Sequence, residues 1–177
     1  TCEPAMKRSL SDETPTKRPL TQNAEKNRAG SLVAFFGKYS LAAITTELIA
    51  QYRDARLAGE DRMKAGNAQP RAANTVRLDL ALLGHLFTVA VKEWGLGLPY
   101  NPVLNLRRPS PGPGRNRRLS AEEESRLFAA VDKHSNPMLS WIVRIAIETG
   151  MRSSEIATLR RPQVELERRI VRLIETK

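Results

Sequence analysis

A mainly helical chain in two folded parts, the second closing on a β-hairpin, is the architecture this sequence predicts. Three observations predict it. Apolar residues at Val76, Leu80, Leu83, Phe87, Ala90 and Trp94 recur at three- and four-residue steps, the spacing of a helix with one buried face. The stretch Arg107 to Arg118 holds five arginines, three prolines, two glycines and no acidic residue, and reads as an interdomain linker. Beyond Pro162 and a charged turn from Glu165 to Arg169, the residues Ile170, Val171, Leu173 and Ile174 give the first strand-like signal, a hairpin.

In chain order, residues 1–30 mix Pro4, Pro15 and Pro19 with charged and small polar residues. They show neither helical nor strand periodicity and are expected to be a flexible basic arm, either with Lys7, Arg8, Lys17 and Arg18 as phosphate contacts or as a solvated, idle tail. A helical domain is expected over residues 31–106. It opens with a short helix carrying Leu32, Phe35 and Phe36 and ending near Gly37. The next helix starts after Ile44, with Thr45 as N-cap and Glu47 in its first turn. Residues 58–70 read as a loop, Thr75 to Trp94 as the long helix, and Gly95 as its stop. After the linker, residues 119–177 open a second domain. Ser120 and Glu123 have capping-box spacing, and Leu127, Phe128 and Val131 supply the apolar face behind them. Met138 to Thr149 is almost wholly apolar and is expected to be a central, buried helix ended by Gly150. A third helix should follow, capped by Ser153 or Ser154.

The charge narrows the partners. Lys and Arg number 29 against 19 Asp and Glu, giving a net charge of +10 in 177 residues. An excess of that size bears on partners and solubility rather than fold, and nucleic acid is the favoured polyanion. An anionic membrane surface has neither a long apolar run nor a basic amphipathic helix to support it. The single cysteine, Cys2, cannot form an internal disulfide, and no secretory signal is legible, so a cytoplasmic protein is expected.

The segment Glu148-Thr-Gly-Met-Arg-Ser-Ser-Glu-Ile-Ala-Thr-Leu159 is the most informative. Arg152 sits between a glycine helix stop and a helix start, where a fixed guanidinium suits a phosphate. A surface arginine at a helical corner is the plain alternative on spacing alone. The pattern Thr-Gly-x-Arg-x-x-Glu-Ile-x-x-Leu, however, resembles the first arginine motif of the tyrosine recombinases (the phage integrase family). The helix start at Ile44-Thr45, Tyr52, Thr75 with Arg77, Ala90 to Gly95 and Asn101-Pro102 resemble that family's core-binding domain. Arg117-Arg118-Leu119-Ser120-Ala121-Glu122-Glu123 resembles the opening of its catalytic domain, and Val164 to Lys177 the hairpin that ends in its Thr-Lys.

The resemblance spans roughly residues 31–177 and implies a helical, SAM-like core-binding domain followed by the start of a mixed α+β catalytic domain. It implies that Arg152 and Lys177 are catalytic, with Glu155 in support, and that the reaction breaks and rejoins DNA through a 3′-phosphotyrosyl intermediate. Candidate DNA contacts are Arg77, Lys92, Arg107, Arg108, Arg115, Arg117 and Arg118. The partner would be double-stranded DNA, with a homotetramer on DNA for the full-length family and a monomer for this chain. No metal or nucleotide cofactor is implied. The family's His-x-x-Arg pair and tyrosine nucleophile follow the lysine, so the chain is expected to stop before its nucleophile and to be inactive alone. None of Tyr39, Tyr52 and Tyr100 is read as that nucleophile, and neither His85 nor His134 fits the pair. Arg161 stands where the family often has tryptophan. A non-catalytic DNA-binding relative that occupies recombination sites, and a helical module binding an acidic protein, are the alternatives.

Overall fold

Four long helices build the N-terminal unit, and their amphipathic faces account for its core. The computed structural model describes residues 1–60, 69–114 and 116–173. They divide into two units, Thr1–Gly114 and Arg115–Lys177, with the division inside the Arg/Pro/Gly stretch. The first unit contains α1 (Cys2–Asp12), α2 (Pro19–Phe36), α3 (Thr46–Ala58) and α4 (Ala73–Lys92). Helix α4 is the centre: Val76, Leu80, Leu83, Leu86, Phe87 and Ala90 are buried. Against it lie Leu32 and Phe36 of α2 and Ile49 and Tyr52 of α3. Burial of each such large side chain contributes about 1.5–3 kcal/mol. Phe35, Phe36 and Tyr52 form an aromatic cluster with ring centroids 4.9–5.3 Å apart.

Residues 1–30 are not the flexible arm expected from their composition. They form α1 and most of α2, and Cys2 and Met6 are fully buried in the core. The prolines taken as breakers occupy positions that a helix tolerates. Pro4 lies in the first turn of α1, Pro19 opens α2, and Pro15 sits in a 3-10 turn, Thr14–Thr16. The basic residues are mostly engaged locally: Lys7 with Glu3 at 2.7 Å, Arg8 with Asp12 at 3.3 Å, Lys17 with Glu25 at 2.8 Å. Arg8 also stacks over Trp94, 4.6 Å from its ring centroid, which ties α1 to the chain beyond α4.

The expected start of α3 is present, with the Thr45 hydroxyl accepting from the Leu48 N–H at 3.2 Å. Within the loop expected at 58–70, residues 61–68 lie outside the described residues. Beyond α4 the chain turns back along the unit. Asn101 donates to the Gly84 carbonyl at 2.8 Å and the Thr88 hydroxyl at 3.0 Å, while its own side-chain oxygen accepts from Val103 N–H at 3.0 Å.

One buried polar cluster joins α3 to α4. The Asp79 carboxylate accepts from the Tyr52 hydroxyl at 3.0 Å and from Arg56 Nη2 at 3.1 Å. Both partners of the ion pair are almost fully enclosed. Burial and the adjoining carboxylate push the Tyr52 phenol above its usual range.

The second unit contains α5 (Ala121–Val131), α6 (Met138–Thr149), α7 (Ser153–Ala157), and strands β1 (Val164–Glu165) and β2 (Ile170–Val171). The strands pair antiparallel, Val164 opposite Val171 and Glu165 opposite Ile170. Together the two units are mainly helical with one small hairpin, the class the sequence predicts. The capping box at α5 is complete. Ser120 Oγ accepts from Glu123 N–H at 3.2 Å, and the Glu123 carboxylate accepts from Ser120 N–H at 3.1 Å. Ser120→Ala is therefore expected to lower the stability of this unit by about 1 kcal/mol in urea denaturation, and an unchanged midpoint would contradict the cap.

Helix α6 has the expected limits but not the expected burial. None of its residues is buried, and Met138 and Trp141 are 59% and 64% exposed. Ser140, Arg144 and Glu148 give it one polar stripe, and the apolar remainder needs neighbours to cover it. Among the described residues of the unit, α5, a five-residue α7 and a hairpin of two-residue strands cover only part of it.

Candidate nucleic-acid interface

The turn between α6 and α7 is built by the residues of the Thr-Gly-Met-Arg segment. Gly150 ends α6 in the left-handed conformation, φ 66°, which admits glycine without strain. The Thr149 hydroxyl accepts the Met151 N–H at 3.2 Å and so braces the turn from inside. Arg152 follows in extended conformation as the N-cap of α7, one residue before the serines expected in that role.

Arginine has no acceptor to cap a helix, and Glu155 does the work instead. Its carboxylate accepts from the Arg152 backbone N–H at 2.8 Å and from Arg152 Nη1 at 2.9 Å. The two-point hold fixes both ends of the arginine. Its side chain is 61% exposed, that of Glu155 only 8%. The backbone and guanidinium hydrogen bonds hold the Glu155 carboxyl below its ordinary range. With only five residues in α7 the helix end adds little field, and the guanidinium is the charged group exposed at this turn.

Of the other predicted site residues, Lys177 and Arg115 lie outside the described residues. Arg117 and Arg118 are exposed ahead of α5, and Arg117 pairs with Glu123. Arg161 opens a 3-10 turn, Arg161–Gln163, and is exposed. In the N-terminal unit, Lys92 is exposed at the end of α4. Arg107 and Arg108 are exposed too. Arg77, by contrast, is half-buried and donates through Nη1 to the Pro109 carbonyl at 3.0 Å. Arg53, which sequence reading passed over, donates through Nη1 to the Arg107 carbonyl at 2.9 Å. No sequence signal marks such a contact, because its acceptor is backbone. Tyr39, Tyr52 and Tyr100 all belong to the N-terminal unit, and the Tyr52 phenol is sealed in the core.

A capped helix, an apolar helix closed by a Thr-Gly turn, a carboxylate-held arginine and a hairpin follow one another in the second unit. The model of the phage integrase family matches residues 117–177. That segment is thus similar to the phage integrase family, and the relatives below extend the similarity over more of the chain. The chain is 44% identical to a shufflon-specific DNA recombinase of Escherichia coli over 134 residues, 76% of this chain. It is 28% identical to an integrase of Escherichia phage 186 over 118 residues, 67% of this chain. The matched parts span 34% of the length of each of these two relatives. No solved structure matches the chain. Among the described residues no helix is long and apolar enough to cross a membrane.

Proposed function

We propose that this chain supplies the DNA-binding unit and part of the active site of a site-specific recombinase or integrase. The observation that carries the reading is the exposed Arg152 guanidinium, held at two points by Glu155 within the family segment. Arg152 grips the scissile phosphate and stabilises the charge that accumulates on its oxygens in the five-coordinate transition state. Glu155 sets its direction. The reaction joins a tyrosine oxygen to the phosphorus, forming a 3′-phosphotyrosyl bond as the bond to the 5′ oxygen breaks. Lys177 donates the proton taken up by that departing oxygen. Rejoining runs the same steps backwards, so no external energy source is needed.

In this reading residues 31–106 belong to a core-binding domain, and residues 119–177 begin the catalytic domain. Lys92, Arg107, Arg108, Arg115, Arg117 and Arg118 contribute to the phosphate contacts. The working location is the cytoplasm, the partner is duplex DNA, and assembly on it is tetrameric.

The direct test is binding of this chain to duplex DNA across a salt series. Log affinity should fall linearly with log salt, with a slope of about −0.9 for each phosphate contacted. Affinity that ignores salt, or that is equal for DNA and an acidic polypeptide, would overturn the reading.

A further inference from the structure

The basic stretch after the helical domain starts as part of the folded N-terminal unit. Residues 102–106 are fixed by a 3-10 turn, by the buried Val103 and Leu106, and by the Thr46 hydroxyl, which donates to the Pro102 carbonyl at 3.0 Å. The next three residues carry two arginines and a proline, and two further arginines hold them. Arg53 of α3 takes the Arg107 carbonyl at 2.9 Å, and Arg77 of α4 takes the Pro109 carbonyl at 3.0 Å. Two of the four arginines of this region, Arg53 and Arg77, thereby spend a guanidinium N–H on backbone. Asp54 offsets the charge of Arg53 through hydrogen bonds of 2.8 and 2.9 Å. The side chains of Arg107 and Arg108 remain exposed. They border a cleft of about 300 Å³ whose other walls are Arg53, Leu57, Pro109 and Ser110.

We propose that Arg53 and Arg77 are positioning residues, not phosphate contacts: they clamp the backbone of residues 107–109 so that Arg107 and Arg108 are held ready for the phosphates of a DNA strand. A hydrogen bond from a charged donor is roughly twice as strong as a neutral one, which suits it to holding a segment that proline and like charge would otherwise free. Ordering two arginine side chains and their backbone before binding removes a cost that the complex would otherwise bear. Arg77 thus exchanges the direct contact expected from sequence for a supporting role. This inference rests on the DNA-binding reading for its consequence, but not for the clamp itself.

The test uses the full chain, the double variant R53M/R77M, the single variant R77M and the pair R107A/R108A. Backbone 15N relaxation at Arg107, Arg108 and Ser110 reads the clamp, with the amides of α4 as an internal control for folding. In R53M/R77M the order parameters at those three sites should fall while those of α4 hold, and R77M should show a smaller part of the effect at Ser110. Duplex affinity should fall roughly tenfold in the double variant with the salt slope kept. R107A/R108A should flatten the slope by about 1.8, as two lost phosphate contacts require. If the double variant flattens the slope by that amount and leaves the order parameters unaltered, Arg53 and Arg77 are contacts and the proposal is wrong. Unaltered affinity with lowered order parameters would equally overturn the role in binding. Failure of the unaltered chain to bind any duplex would instead remove the DNA-binding reading, while the relaxation data would still decide the clamp.

Discussion

Asp79→Ala is expected to destabilise the N-terminal unit by about 2–3 kcal/mol, because two buried donors lose their acceptor at once. One carboxylate oxygen serves both the Tyr52 hydroxyl and Arg56 Nη2, at 3.0 and 3.1 Å, in a site almost closed to water. Alanine removes the negative charge and takes an acceptor from both the buried guanidinium and the buried phenol. Because the three residues sit on α3 and α4, the damage should spread through the unit rather than stay at one helix end. Asp79→Asn keeps an acceptor for Tyr52 but not the charge, so its loss should be smaller. Urea denaturation followed by circular dichroism reads both variants. A loss for alanine under about 1 kcal/mol would show that the pair adds specificity and little stability.

Under the proposed function, Arg152→Ala is expected to slow strand cleavage by about 100- to 1,000-fold, with duplex affinity altered much less. The difference follows from the reading of its role, since an interaction strengthened only as charge develops lowers the rate more than the binding. Glu155→Gln should give an intermediate loss. The amide oxygen still accepts one hydrogen bond, but the charged half of the two-point hold on Arg152 is gone. A suicide duplex that traps the covalent complex measures cleavage directly. Equal losses in cleavage and in affinity for Arg152→Ala would make this residue a general DNA contact and end its catalytic assignment.

Several local signals in the sequence held where structure is decided within a few residues, though the cap of α7 fell on Arg152 rather than on a serine. Thr45 before α3, the Ser120 and Glu123 pair before α5, and Gly150 after α6 each act through a hydrogen bond or a backbone angle of their own neighbourhood. The motif around Arg152 was legible for the same reason, since Thr149, Gly150 and Glu155 all serve one turn. What escaped was decided across the chain. Cys2, Met6 and Ser9 have the three- and four-residue steps of a buried face, but the prolines and charges around them hid so short a period. Arg53 and Arg77 look like free surface cations in sequence, because the carbonyls they hold belong to residues 54 and 32 positions away. The apolar run of α6 announced a helix correctly, but burial depends on how many neighbours there are to cover it.

The positions of the two tryptophans have a practical consequence. Trp94 lies in the N-terminal unit under the Arg8 guanidinium, and Trp141 stands 64% exposed in the second. Each unit therefore carries its own fluorophore, in surroundings different enough to emit at different wavelengths. Converting one or the other to phenylalanine would leave a single reporter per molecule, able to follow the melting of one half while the other stays silent.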